Sequence, residues 1–476
     1  MSSYCLTSDR LERVESWGMN LSSLSYVFRP TTAQQVCDAF QIARQNGKTV
    51  GLRGAGYSYG DASMNDAGIL LDLSRMNRVL DWNPETGRIT VEPGVTIRQL
   101  WQFIIEDGWW PPVVSGTMFI TLGGAAGMNI HGKNNFKAGP IGNHILQFEL
   151  MTPGGEAKVC SRDANSELFY AAIGGFGMLG VFTSITLQMK KIYSGQLSVN
   201  AFATSSFADI IQKFSERIDG ADYLVGWIDC FAAGNDLGRG LVHQANYLAP
   251  DVDLNPAQTL RVKNQESPDT LMGVFPKSSM WRLLQPFSNN LGMQTINFAK
   301  FLQGATIGNN HIVNQSHAQF AFLLDYVPNW KFAYKPGGLI QFQSFVPYAA
   351  AEEVFSQQLI LSQKFGIIPY LGVFKRHQPD QFLMSHAVDG FSLALDYPVT
   401  DRNKDGLATL TQIMTRLVVD AGGRHYFAKD SQLRKEPVHE YLGADVIETF
   451  RRLKSENDPE NILRTNLSQR LFDSFE

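Results

Sequence analysis

Apolar positions along the chain follow two periods, and the places where the period breaks are as informative as the runs themselves. Over 32–46, Val36, Phe40 and Ala43 fall at helical spacing, Thr31 or Thr32 can cap the start, and Gly47 follows the end, which predicts a helix. Over 96–107, Ile97, Leu100, Trp101 and Ile104 share one face and Gly108 stops the run, which predicts a second. Short strands are expected at 49–53, 69–73 and 88–91. A hairpin is expected where 145–151 and 157–160 flank Pro153-Gly154-Gly155. Ile185, Leu187 and Met189 alternate with Ser184, Thr186 and Gln188, the period of a half-buried strand. Residues 1–193 therefore read as α+β. From about Ser194 glycine loops thin out; 338–345 alternates as a strand, and 349–365 and 407–421 have helical spacing. The tail after Gly422-Gly423 predicts a strand at 425–428 and a helix ending near Asn457-Asp458-Pro459. No internal repeat is visible.

Two uncharged stretches, 108–130 and 168–189, are long enough to test as membrane spans, but glycines interrupt both and Pro111-Pro112 also breaks the first. A span wants about 20 predominantly apolar residues without such punctuation. Both read as buried segments whose bare backbone can approach a large flat ligand. A third apolar stretch, 279–303, carries only Arg282 and Lys300 as charges and is interrupted by Pro286 and Gly292. Core packing and a flap over an apolar ligand or a membrane surface both remain open for it.

The balance of 41 basic and 45 acidic residues in 476 argues against a nucleic-acid binder, which needs a basic surplus. The length suits two large domains or about three ordinary ones. Cys5, Cys37, Cys160 and Cys230 form no CxxC pair, so neither a metal site nor a disulfide framework is expected. The first residues reach acidic side chains at once, without a signal-type apolar run, and a cytoplasmic protein is expected.

Candidate chemistry gathers in glycine-rich loops. Arg53-Gly54-Ala55-Gly56-Tyr57-Ser58-Tyr59-Gly60-Asp61 follows a strand and can turn successive N–H groups toward an anion. It is no Rossmann fingerprint, since it does not open a helix with an acid about 20 residues on. Next come Ser115-Gly116-Thr117 and Thr121-Leu122-Gly123-Gly124, then Asn129-Ile130-His131-Gly132-Lys133-Asn134, then Gly174-Gly175-Phe176-Gly177. Any one of these is a weak signal. Three glycine loops in order within 185 residues suggest one extended dinucleotide lying along backbone.

The order RGxGxSxxxD, SGTxxxTLGGxxxxxxHG, GGxGxxG resembles the FAD-binding half of the vanillyl-alcohol-oxidase type flavoprotein family. His131–Asn134, Gly142-Asn143-His144 and Tyr426–Ser431 are similar to its branch of polyprenyl-phosphoryl-ribose 2′-oxidases. The resemblance implies a two-domain α+β flavoprotein. Residues 1–194 and 424–476 would form the FAD-binding domain, and 195–423 a substrate domain on an antiparallel sheet. It implies that Arg53 to Asp61, Ser115, Gly116, Thr117, Thr121, Leu122, Gly123, Gly124, His131, Gly132, Asn134, Gly177, Phe182 and Tyr426 hold FAD. Gln341, Gln343, Lys375 and Lys429 would face the substrate. Many relatives bind FAD through a histidine where this chain has Tyr57, so the flavin is expected to be non-covalent.

The implied reaction takes a hydride from the 2′-hydroxyl carbon of a polyprenyl-phosphoryl pentose, as half of an epimerisation in arabinan (cell-wall polysaccharide) biosynthesis. A separate NAD(P)H-dependent reductase would complete it. Lys429 or His131 would serve as base and Lys375 would meet the phosphate. A peripheral contact with the inner face of the membrane is part of that expectation. The chain departs from the branch at Ala394, where relatives carry a cysteine. An oxidase of free sugars or alditols on the same fold is the rival enzyme reading. A flavin-free scaffold is the non-enzymatic one, opposed by the intact loops.

Overall fold

The computed structural model describes residues 6–473 except 267, 269 and 272–274; Cys5 lies outside the described residues. Three sheets carry the architecture. A four-stranded sheet runs Leu11–Glu15, Ser22–Phe28, Ile69–Asp72, Val50–Arg53, antiparallel at its first pair and parallel at the other two. A five-stranded antiparallel sheet runs Val79–Asn83, Arg88–Val91, Val181–Gln188, Ile145–Met151, Ala157–Ser161. An eight-stranded antiparallel sheet runs His311–Ser316, Gln196–Thr204, Gly240–Tyr247, Tyr223–Ile228, Leu371–His377, Gly390–Pro398, Leu339–Pro347, Arg424–His425.

Local chemistry places the early elements as the periodicity predicts. Thr32 caps helix Ala33–Gln45 by accepting from Gln35 N. Thr96 and Gln99 form a capping box on helix Ile97–Ile104, whose Ile97, Leu100, Trp101 and Ile104 are buried. The two strands around Pro153-Gly154-Gly155 pair as a hairpin, Met151 opposite Ala157.

Three expectations are corrected. Strand Leu339–Pro347 does not alternate between core and solvent; its first eight residues are all buried. Helices Ala351–Lys364 and Lys404–Asp420 cover one face, and the other closes a cavity. Strand Val181–Gln188 lies inside its sheet, so Thr186 is buried as well and bonds Thr90 Oγ1 at 3.0 Å. In the tail only Arg424–His425 is strand. The chain then turns, with Lys429 N donating to Tyr426 O at 3.0 Å, because Ala428 O is taken by Tyr59 N of the first glycine loop.

Buried apolar side chains gather mainly in two bodies. One joins residues between 62 and 192 with Phe427, Phe450, Leu467 and Phe472 of the tail, and also takes in Ala318, Ala321 and Phe322. The other fills the space between the eight-stranded sheet and its covering helices, from Phe202 to Val418. Segment 279–303 joins neither. It forms helices Met280–Leu284 and Asn290–Thr306, and Leu283, Phe287, Leu291, Phe298 and Leu302 are exposed. Among the described residues no helix is long and apolar enough to cross a membrane.

Candidate active site

A cavity of about 1040 Å³ runs between the glycine loops and the eight-stranded sheet. That is at the upper end of what small-molecule and cofactor sites occupy, roughly 300–1,000 Å³. Its two arms are built differently.

The first arm is backbone. Arg53 to Tyr59, Ser115–Thr117, Thr121, Gly123, Gly124, Gly177 and Phe182 line it. Among the described residues, the N–H groups of Gly54, Ala55, Gly56, Tyr57 and Ser58 have no hydrogen-bond acceptor in the protein. Five adjacent unused donors are a cradle for a phosphate-bearing ligand. Arg53 backs the cradle, its guanidinium fixed on Ser63 O and Glu15 O. Thr121 caps the short helix Leu122–Gly127 through Gly124 N, so the second loop is a helix start rather than a free nest.

Four expected cofactor residues do not line the cavity; they shape its walls. Leu122 is core. Asn134 donates to Pro112 O at 2.8 Å. Asp61 accepts from Arg470 at 2.8 and 2.9 Å, and Arg470 reaches Asp430 at 2.8 Å, so one guanidinium ties the first loop to the tail. Gly60 sits so close to that tail that a Cβ would fall 1.8 Å from Asp430 O.

The second arm is side chains. Gln341 and Gln343 project from one strand, Lys375 from another, and Ala394 lies opposite both Gln343 and Val373. Ala394 therefore faces this cavity. Lys429 Nζ lies 3.9 Å from the centroid of the Tyr59 ring. His131 bonds Gln343 at 3.2 Å and packs edge-on to His377 and Phe345, with His386 and Tyr426 beside it.

Enclosure sets the charges. Burial, with Lys375 and the neighbouring histidines behind it, holds His131 well below the usual imidazole range, so at neutral pH it is an uncharged hydrogen-bond partner. Burial lowers Lys375 to about 8. Burial lowers Lys429 and raises Asp396, which accepts from Gln341 and attracts Lys429. Lys375 and Lys429 are half-buried and both line the cavity. A lysine with lowered pKa beside neutral imidazoles can take a proton, and an enclosed cationic lysine can hold an anion.

Several lining residues carry no motif in the sequence. Segment 323–331 straps the cavity: Leu324 N donates to Gly116 O at 3.2 Å, and Asp325 accepts from Thr117 Oγ1 and Met118 N, each at 2.8 Å. Burial raises Asp325 to about 6. Lys331 donates to Trp17 O at 3.0 Å, and Trp17 packs between the tilted rings of Tyr59 and Trp330, centroids at 4.5 and 5.3 Å. Lys133 extends its ammonium to the carbonyls of Phe320 and Ala321. The one available hint was compositional, the aromatic residues and lysines crowded into 330–335. Among the described residues no group of three or more His, Cys, Asp or Glu could hold a metal ion.

Comparison with known proteins agrees with this geometry. Residues 24–161 match the FAD binding domain family. The chain is 29% identical over 469 residues to decaprenylphosphoryl-beta-D-ribose oxidase of Mycolicibacterium smegmatis, covering 97% of both chains. It is 32% identical over 161 residues to L-gulonolactone oxidase of Bos taurus, covering 34% of this chain and 36% of that one. It is 27% identical over 213 residues to cytokinin dehydrogenase 3 of Arabidopsis thaliana, covering 43% of this chain and 40% of that one. FAD is the cofactor that the unpaired amides of 54–58 suit. The FAD binding domain over 24–161 and the similarity to an oxidase along 97% of the chain make the protein an FAD-dependent oxidoreductase.

Proposed function

We propose that the protein oxidises the 2′-hydroxyl of a polyprenyl-phosphoryl pentose to the ketone. The observation that carries this reading is the second arm: a lysine of lowered pKa and a neutral histidine face the cavity, with a second enclosed lysine nearby. Similarity along 97% of the chain to the decaprenylphosphoryl-ribose oxidase supports the same substrate class.

Bound FAD supplies the hydride acceptor. The chain does the rest. An alcohol gives up its C–H hydride readily only as its O–H proton leaves, so a base within hydrogen-bond reach is wanted. Lys429, lowered by burial, takes that proton at Nζ. His131, steadied by Gln343, accepts or donates to a neighbouring hydroxyl. Lys375 holds the phosphate as a point charge. The strap 323–331 and Trp17 shut water from the first arm. Tyr57 stands where a linking histidine would be, so the flavin is non-covalent and acid precipitation should release all of it; chromophore left on the denatured chain contradicts this. We propose residues 1–194 and 424–476 as the cofactor domain and 195–423 as the substrate domain. A separate NAD(P)H-dependent reductase would convert the ketone product and so complete the epimerisation.

The exposed apolar side chains of 283–302 supply a contact for the prenyl tail or the surface of a membrane at its cytoplasmic face. Liposome co-sedimentation of a Phe287→Ser, Leu291→Ser variant against the parent tests that contact; equal pellets rule it out. Anaerobic mixing of the holoenzyme with farnesyl-phosphoryl ribose, free ribose or alditols tests the substrate. Flavin bleaching by the first alone is expected. Equal bleaching by the free sugars would instead support the rival sugar oxidase.

A further inference from the structure

Helix Asn290–Thr306 carries apolar side chains on its solvent side as well as toward the sheet. Leu291 at 75%, Phe298 at 52% and Leu302 at 51% are exposed, while Asn297 is buried and Met293, Ile296, Phe301 and Gly304 are half-buried. A surface helix on a packed protein ordinarily turns polar side chains outward. Gly304 explains the docking. The helix packs on strands Gln196–Thr204 and Gly240–Tyr247, and a Cβ at Gly304 would come 2.4 Å from Leu241 Cδ1. One turn earlier, on the same face, Lys300 reaches into the cavity and sets Nζ 4.3 Å from the centroid of the Trp227 ring, Trp227 being the cross-strand partner of Leu241.

Lys300 has no hydrogen bond or ion pair to any described residue. Its surroundings are apolar or basic: the Trp227 ring, His243, and Lys133 next to that histidine. Lys300 is exposed as a residue, but desolvation of its ammonium over the Trp227 ring lowers it to about 8, and burial lowers His243 to about 4. Lys133 is occupied by two carbonyls. Among the described residues, Lys300 and Lys375 are the lysines of this wall with no hydrogen-bond partner. His243 pairs with Val225, and the next register position beyond Gly226↔Phe374 is Lys375. Two strand spacings, about 10 Å, therefore separate the backbone below Lys300 from that of Lys375. Four-carbon stems on both sides close that gap around a single phosphate.

We propose that Lys300 is a specificity-determining residue: with Lys375 it grips the phosphate of the substrate, delivered by a helix whose opposite face meets the lipid tail. This deepens the proposed function and rests on its phosphoryl substrate. Phosphate recognition would then be completed only when helix Asn290–Thr306 seats on the sheet.

The test is a flavin absorbance titration of the FAD-loaded protein with farnesyl phosphate and, separately, inorganic phosphate, in the parent, Lys300→Met and Lys300→Arg. A hydrogen bond to a charged group contributes about 1.5–3 kcal/mol, so Lys300→Met should weaken farnesyl phosphate at least about tenfold, with Lys300→Arg within a few-fold of the parent. Farnesyl phosphate binding the parent more tightly than inorganic phosphate supports a lipid source; equal affinities overturn it. Unchanged affinity in Lys300→Met overturns the site. If Lys300→Met does not fold, Lys300→Gln replaces it, and parental affinity in Lys300→Gln overturns the site equally. With farnesyl-phosphoryl ribose, the KM of Lys300→Met should rise about tenfold. Lys300-dependent binding without bleaching by that sugar keeps the site and rejects the sugar. Bleaching with a parental KM in Lys300→Met keeps the sugar and rejects the site.

Discussion

The two arms of the cavity are held by different physics. The first is a run of main-chain donors and glycines from loops within residues 53–182, fastened by one guanidinium to the tail. The second is a set of long polar side chains from three strands of one sheet, one turn and one helix. Backbone cradles tolerate loss of a single side chain, because their donors belong to the chain itself. Side-chain sites do not. The first arm should therefore survive substitutions that silence the second.

The largest expected break is Lys429→Ala. Loss of one positioned base costs about 10²–10⁴ in rate. Flavin reduction by substrate should fall by that factor while FAD content, read from absorbance, stays at the parental level. A rate within a few-fold of the parent would make Lys429 a wall residue.

Arg470→Ala attacks the other arm. It leaves Asp61 and Asp430, both largely buried, side by side without their cation. Removing one partner of a buried pair costs roughly 3–5 kcal/mol, and Arg470 is partly exposed, so a loss of about 2–3 kcal/mol is expected in denaturant unfolding. FAD should dissociate more readily, while any flavin still bound is reduced at the parental rate. A loss of both properties together would mean that the arms are not separable.

Between these lies the pH profile of kcat/KM. Lys429 must be neutral to act as base, so the rate should rise as pH passes through its lowered pKa, well below the ordinary lysine value of about 10.4. Lys375 and Lys300 must be charged to hold phosphate, so the rate should fall as pH passes about 8. The alkaline limb should vanish for a neutral alkyl riboside. A limb that persists there would belong to another group.

The same contrast governs what the amino-acid order reveals. The first arm is legible because its loops are local: glycine spacing, Arg53 and the order of the loops all lie within one stretch of chain. Helix caps at Thr32 and Thr96 are legible for the same reason. The strand at 339–347 was legible as a strand but not as one buried on both faces, since helices 351–364 and 404–420 close one face and the assembled cavity closes the other. The turn at Tyr426–Lys429 looked like strand because its β-forming residues are there to fill the cavity wall, and the loop at Tyr59 takes its carbonyl. Asp325, Trp17 and Lys331 were invisible because their roles exist only once segment 323–331 crosses the glycine loops. Lys300 looked like a stray charge in an apolar run, until the close approach at Gly304 set its ammonium over the Trp227 ring at the cavity.

The most direct test of the central claim is the rate of flavin reduction by farnesyl-phosphoryl ribose deuterated at C2 of the sugar, measured anaerobically in a single turnover. Hydride loss from that carbon predicts a several-fold slower reduction than with the protiated substrate, none with deuterium at C3, and a 2-keto product. An isotope effect at C3 instead, or equal rates with every label, would contradict the account.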